Sequence, residues 1–206
     1  KPEKSLNYEA GSSFKADGVF GSDDHLFAKA VFFYDDVKDF IAPKAWFEPT
    51  TPPTVYYSSQ NVGHVVRKGI ELSGTYAAGQ FSTSVSYGLL HAVDKETNER
   101  MNGITPQSAN LKLAYAFPAQ AINVWYRAHW SKGGESSVED RATGKNLHFS
   151  SFLTHSLGAE WSPKVADLAN LQAGIAVVNL FDKEYRMLNG SYGSGRGVRL
   201  WLSAQF

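Results

Sequence analysis

Side chains that alternate between apolar and polar mark an extended strand with one buried face, because successive Cβ atoms of a strand point to opposite sides. Near the C-terminus Val198, Leu200, Leu202, Ala204 and Phe206 share one face, and Gly197, Arg199, Trp201, Ser203 and Gln205 share the other. The same period recurs upstream. Leu6, Tyr8, Ala10, Phe14 and Ala16 oppose Asn7, Glu9, Ser13 and Lys15. Ile122, Val124, Tyr126, Ala128 and Trp130 oppose Asn123, Arg127 and His129. Residues 25–41 are apolar on both faces, and residues 147–161 put His155 on an otherwise apolar face. Nine strands are predicted, near 5–17, 25–42, 62–77, 80–93, 107–117, 120–131, 147–161, 168–181 and 196–206.

The connections alternate in length. Short ones fall at 18–24, 78–79, 118–119 and 162–167, and long ones at 43–61, 94–106, 132–146 and 182–195, where Pro and Gly cluster. Many strands reach the roughly 9–11 residues that a tilted strand needs to cross a bilayer. Short turns at one end and long loops at the other is the outer-membrane barrel pattern. The fold class expected is all-β, an antiparallel transmembrane β-barrel. With a periplasmic C-terminus, Tyr76, Phe117, Trp161 and Phe206 fall at the periplasmic level, and Tyr8, Tyr34 and Trp130 near the outer rim. A soluble β-sandwich shares the alternation but not the strand lengths or the loop asymmetry.

Composition narrows the function classes. The 206 residues carry 20 Lys+Arg and 20 Asp+Glu, so no basic excess points to nucleic acid. Cys is absent, which excludes a disulfide scaffold and a thiolate metal site. No apolar run is long enough for a membrane helix, and Lys1-Pro2-Glu3-Lys4 does not open a signal peptide. No nucleophile elbow, zinc-protease helix motif or phosphate loop occurs, so no enzyme is expected. Gly193-Ser194-Gly195-Arg196-Gly197 precedes a strand rather than a helix.

Four segments carry a resemblance. Lys1-Pro2-Glu3-Lys4-Ser5-Leu6-Asn7-Tyr8-Glu9-Ala10-Gly11, Arg67-Lys68-Gly69-Ile70-Glu71-Leu72, Val178-Asn179-Leu180-Phe181-Asp182-Lys183-Glu184-Tyr185 and Gly195 through Phe206 resemble, in order, segments of TonB-dependent outer-membrane receptors. The resemblance implies that residues 1–206 are the C-terminal part of such a barrel. They would form the last nine of roughly 22 strands, with the plug domain and earlier strands outside this chain. Single-chain bacterial barrels have even strand counts, which also favours a part over a complete barrel. Val198, Leu200, Leu202 and Phe206 would belong to the barrel-closing strand.

The implied function is active import, energised by the TonB complex through plug rearrangement in a barrel surrounded by outer-membrane lipid. No cofactor is expected to be held permanently. The transported ligand is expected to be haem or a ferric chelate, and a haem-carrier protein is an expected partner. A ferric siderophore is the alternative, and a passive porin-like channel a reading of a different class. Candidate ligand-binding residues are His91, His129 and His148, whose imidazoles are able to ligate haem iron, with Arg186 and Tyr192. By strand parity His129 and His148 are expected to point inward. Trp46, Phe47 and Tyr185 are further loop aromatics. Inward charges (Glu9, Lys15, Arg67, Glu71, Lys112, Arg127, Glu160 and Arg199) suit plug contact, electrostatic guidance of an anionic substrate, or a solvated wall.

Overall fold

A computed structural model describes residues 1–48, 54–61, 63–139, 143–164 and 170–205; for 42–48, 54–60, 138, 139 and 170 it describes the backbone alone. Nine strands form one antiparallel sheet: β1 (Lys4–Asp17), β2 (Asp24–Lys38), β5 (Val65–Ala78), β6 (Phe81–Asp94), β7 (Gln107–Phe117), β8 (Ile122–Ser131), β11 (Phe152–Trp161), β12 (Asn170–Val178) and β13 (Gly197–Gln205). Two separate hairpins stand beyond it: β3 (Ile41–Glu48) with β4 (Thr54–Asn61), and β9 (Gly134–Glu139) with β10 (Asn146–Phe149). Within the sheet each strand pairs with its sequence neighbours, and the hairpins are excursions from the long-connection end.

The two faces differ as the alternation predicts. Leu200 and Leu202 are each 75% exposed on the outer face, beside exposed Val198, Ile175, Leu157, Leu153 and Val85. The opposite face is concave. It encloses a cavity of about 550 Å³ edged by Ser73, Ser84, Ser86, Asn110, Lys112 and Arg127. All eight predicted inward charges fall on this inner face by register. An exposed apolar surface this continuous would drive aggregation in water and suits lipid. Outward aromatics edge the band, with Tyr115, Phe117 and Trp161 at the short-turn end and Tyr8 and Tyr34, whose rings are 6.4 Å apart, toward the long-loop end. The sheet is a partial barrel, because β1 and β13 each have a single neighbour in it.

Inside, three aromatic rings lie over glycines on adjoining strands. A Cβ at Gly174 would overlap the Trp201 indole, one at Gly158 the Trp125 indole, and one at Gly69 the Phe33 ring. Glycine weakens a strand unless something covers the bare backbone, and a cross-strand aromatic does so. This accounts for β2, whose apolar residues occupy both faces: Phe27, Val31 and Phe33 turn inward, and Phe33 fills the space above Gly69. Trp125 is 5% exposed and packs with Ala114, Ala176 and Trp201, while the Arg127 guanidinium sits 4.5 Å above its ring. His155 stays on the outer face as predicted. Its imidazole is satisfied there by the Tyr126 hydroxyl at 2.5 Å and edges onto Phe181.

Three expectations need correction. The connection 43–61 contains the β3–β4 hairpin, paired from Ile41↔Asn61 to Glu48↔Thr54. The connection 132–146 contains β9. The strand expected over 147–161 is two elements: residues 146–149 leave the sheet to pair with β9, and the sheet strand begins at Phe152. A glycine accommodates the break. Gly133 lies so close to the backbone of residues 149–151 that a Cβ there would overlap it, and its N–H donates to Ser151 Oγ at 2.9 Å. The 118–119 turn is a 3-10 turn, Pro118–Gln120, closed by Ala121 in the left-handed region. Val198, Leu200 and Leu202 lie in β13, whereas Phe206 lies outside the described residues.

Val85 and Ser86 are adjacent and face opposite ways, Val85 being half exposed on the outer face. Val85→Arg is expected to destabilise the membrane-inserted barrel by about 2–4 kcal/mol, and Ser86→Arg by under about 1 kcal/mol, since only the lipid face penalises charge. Denaturant unfolding of both variants in lipid vesicles checks this; equal losses would contradict the assignment of faces.

Candidate functional site

The long-connection end carries the candidate chemistry, and backbone hydrogen bonds lock its pieces together. Gly103 N–H, from the β6–β7 connection, donates to Glu135 O at 3.0 Å. Ser137 N–H donates to Leu188 O, also at 3.0 Å, so the β12–β13 connection grips the same hairpin. The β9–β10 hairpin is thus held between two loops.

Asn179 and Asp182 shape the β12–β13 connection. Both have positive φ, 49° and 53°, a region that Asn and Asp tolerate better than most residues. Asn179 is 6% exposed. Its Nδ2 donates to Lys183 O and Ser194 O at 2.9 and 3.0 Å, and its Oδ1 accepts Lys183 N–H at 2.9 Å. Asp182 accepts Arg196 N–H at 2.7 Å. Beyond this knot, residues 185–193 fold back on themselves: Met187 N–H donates to Ser191 O, and Gly193 N–H to Tyr185 O. The Tyr185 ring covers Gly193, where a Cβ would overlap it.

Against this loop opens a cavity of about 710 Å³ lined by His148, Phe149, Phe152, Tyr185, Arg186 and Tyr192. The Arg186 guanidinium lies 3.9 Å from the Tyr192 ring centre and 5.6 Å from that of Phe149, and it donates to the Tyr192 hydroxyl. Phe152 and Tyr185 stack at 4.1 Å with their planes 28° apart. Phe152 also lies 5.8 Å from His129, which faces the inner cavity. A line of rings therefore runs from the mouth to the barrel interior.

The five predicted residues separate. His148, Arg186 and Tyr192 meet at the mouth cavity. His129 points inward as expected, its Nδ1 2.8 Å from Asn110 Oδ1. His148 is not on an inward strand position, because β10 has left the sheet; the hairpin holds it with Nδ1 3.2 Å from a Glu135 oxygen, and among the described residues Nε2 has no hydrogen bond. His91 is on the outer face by register, beside Arg100, and the two line a rim cavity of about 220 Å³ that Glu135 and His148 also line. The side chains of Trp46 and Phe47 lie outside the described residues.

Sequence reasoning missed Phe149, Phe152 and Glu135. A clue existed in the Ser150-Ser151 step, where an alternating run loses its apolar partner. Chemically the mouth offers flat aromatic faces, a guanidinium able to pair with carboxylate, and an imidazole nitrogen. Among the described residues no group of three His, Asp or Glu forms a metal cage. One imidazole suits an axial ligand to a metal already held by a macrocycle.

Asn179→Gly keeps the backbone angle accessible and removes three hydrogen bonds. It is expected to loosen residues 179–196, costing about 1–3 kcal/mol of local stability. Faster amide exchange confined to that connection would bear this out; unchanged exchange would remove Asn179 as the organiser of the loop.

Comparison with known proteins agrees with this geometry. The family profile described as "TonB dependent receptor-like, beta-barrel" matches residues 1–180. The chain is 24% identical over 204 residues to "Heme/hemopexin utilization protein C" of Haemophilus influenzae (strain 86-028NP), covering 97% of this chain and 28% of that protein. It is 23% identical over 232 residues to "TonB-dependent heme receptor A" of Haemophilus ducreyi, covering 100% of this chain and 31% of that protein. The chain thus spans about three-tenths of the length of these curated relatives. Its fold also matches that of the pyoverdine outer membrane receptor FpvA from Pseudomonas aeruginosa PAO1, with a TM-score of 0.69, 20% identity, and coverage of 100% of this chain and 30% of that one.

Proposed function

The chain belongs to the TonB-dependent receptor β-barrel family, and from that premise we propose that it is the C-terminal nine strands of an outer-membrane receptor that imports haem. The observation that carries the ligand reading is the mouth cavity, where His148, Arg186, Phe149 and Tyr192 converge. Haem presents an iron, two carboxylates and a flat apolar ring. An imidazole, a guanidinium and aromatic faces are the matching groups. The two Haemophilus relatives are named for haem, which supports the same choice. In this reading the long loops are extracellular, the short turns and C-terminus periplasmic, and the apolar outer face meets outer-membrane lipid.

TonB and the plug domain act through parts of the protein beyond this chain. The inner wall suits a plug. The indole Nε1 of Trp125 is buried with no hydrogen-bond partner among the described residues, and Arg127, Glu160 and Arg199 line the hollow beside it. A buried N–H of this kind is worth satisfying with an acceptor from inside. The name of one relative, a haem/hemopexin utilisation protein, motivates a haem-carrier protein as the delivering partner.

A ferric siderophore is the second reading, favoured by the likeness to the pyoverdine receptor and by Arg186 stacked among aromatics. Haemin titration of the full-length receptor separates the two. A saturable Soret shift is expected, weakened about tenfold or more in His148→Ala, since loss of one metal-directed ligand exceeds about 1.4 kcal/mol. His91→Ala, on the outer face, is expected to leave the shift unchanged, and His129→Ala tests whether haem reaches the interior. No saturable shift would overturn the haem reading and favour the siderophore; a shift indifferent to His148 would move the iron ligand outside this chain.

A further inference from the structure

The outer face carries a second cluster that ligand import leaves unused. Along one cross-strand row Tyr8, Tyr34, Lys68 and His91 are direct neighbours. Arg100 reaches back over this row and donates to His91 Nδ1 at 3.1 Å. Farther toward the long-loop end Lys4 and Lys38 stand directly opposite each other. These cations share the exterior with the apolar band, because Lys68 alternates with the inward Arg67 and Gly69.

Lys68 sits at a definite height. From Lys68 to Tyr76 is eight residues along β5, about 26 Å at strand rise. With the strand tilt this is about 20 Å, close to the height of the apolar band of an outer-membrane barrel. Lys68 thus lies where headgroups begin on the long-loop side, with Tyr34 its neighbour on one side and His91 on the other.

Its charge is not balanced by the protein. Asp36, the outward carboxylate of β2 next to the cluster, is taken by His64 at 2.8 Å. Asp39 faces Lys1, Glu3 accepts Ile41 N–H, and Asp94 accepts Glu96 N–H. Glu96 lies against Gly63. Among the described residues the exposed Glu99 makes no ion pair, and no carboxylate pairs with Lys4, Lys38, Lys68 or Arg100. Like charges directly opposed on a sheet are destabilising. An anion bound from outside would relieve the Lys4–Lys38 opposition and complete the Lys68–Arg100 pair.

We infer that Lys68, His91 and Arg100, extended by Lys4 and Lys38, form a headgroup site on the outer wall that holds the phosphates of an anionic lipid in the leaflet on the long-loop side. Lys and Arg supply the charge, His91 accepts an N–H of Arg100, and the tyrosines pack at the interface. The site rests on the membrane placement proposed above and is independent of the transported ligand.

The test uses the full-length receptor, extracted, delipidated and reconstituted in nanodiscs containing either a bis-phosphorylated lipid A or its dephosphorylated counterpart in phosphatidylcholine. Lipid retained after detergent re-extraction is counted by native mass spectrometry. Wild type is expected to retain the phosphorylated lipid, and Lys68→Gln/Arg100→Gln to lose about twenty-five-fold in retention, at about fivefold per cation near an anionic surface. Lys112→Gln, on the inner face, is expected to match wild type. Heat-modifiable gel migration confirms that each variant is folded. Equal retention of both lipids by wild type, or no change in the double variant, would overturn the site. Displacement by millimolar inorganic phosphate would reassign it to free phosphate and equally overturn the lipid proposal. A receptor that does not insert into nanodiscs at all would instead contradict the membrane placement.

Discussion

A strand in hydrocarbon has no water to satisfy its backbone, so every N–H and C=O in the spanning region must find a partner on a neighbouring strand. The rest of this structure depends on that constraint. It forces a continuous ladder across the nine strands of the sheet, with one pairing after another. It also fixes which way each side chain points, because a ladder in register leaves parity as the only freedom. Leu200 and Arg199 are adjacent in sequence and inhabit different solvents for this reason alone.

Parity explains why so much of the wall was legible beforehand. Alternation in β13, β8 and β1 reports a two-sided environment directly, and the inward charges fall where parity puts them. The hairpins were not legible on the same terms. Once the chain rises beyond the sheet, water satisfies the backbone and neither face need be apolar. Residues 134–139, Gly-Glu-Ser-Ser-Val-Glu, then form a strand with almost no hydrophobic signature. His148 was misassigned for a related reason: alternation through 147–161 falters only at Ser150-Ser151, while the close approach at the break involves Gly133, fourteen or more positions before the strand it interrupts.

The glycines of the inner wall follow from the same constraint. Trp125, Trp201 and Phe33 each require a neighbour without a side chain, and Gly158, Gly174 and Gly69 provide it. Rings laid flat against the backbone keep the hollow open. The same large residues standing upright would fill it. The wall gains apolar burial without losing the interior, and the 550 Å³ cavity beside Arg127 and Lys112 remains. Family resemblance identified the Asn179–Tyr185 segment from its residues, but the purpose of its residues is visible only in the fold. Asn179 and Asp182 take left-handed positions and tie the loop to both of its strands.

The division between wall and mouth has a consequence for where binding chemistry can evolve. Ladders in the nine-stranded sheet keep one register along their whole length, so altering a wall residue changes its face but not its neighbours. Among the described ladders, the register shift falls between Asn146 and His148, in the hairpin that carries the candidate imidazole. There the backbone is free of the lipid's demand, and the segment is held instead by single hydrogen bonds, Gly103 to Glu135 and Ser137 to Leu188. Such a segment can change length and sequence without breaking the barrel. A receptor wall shared by proteins of differing ligands, topped by a mouth specific to each, is what this separation of constraints produces.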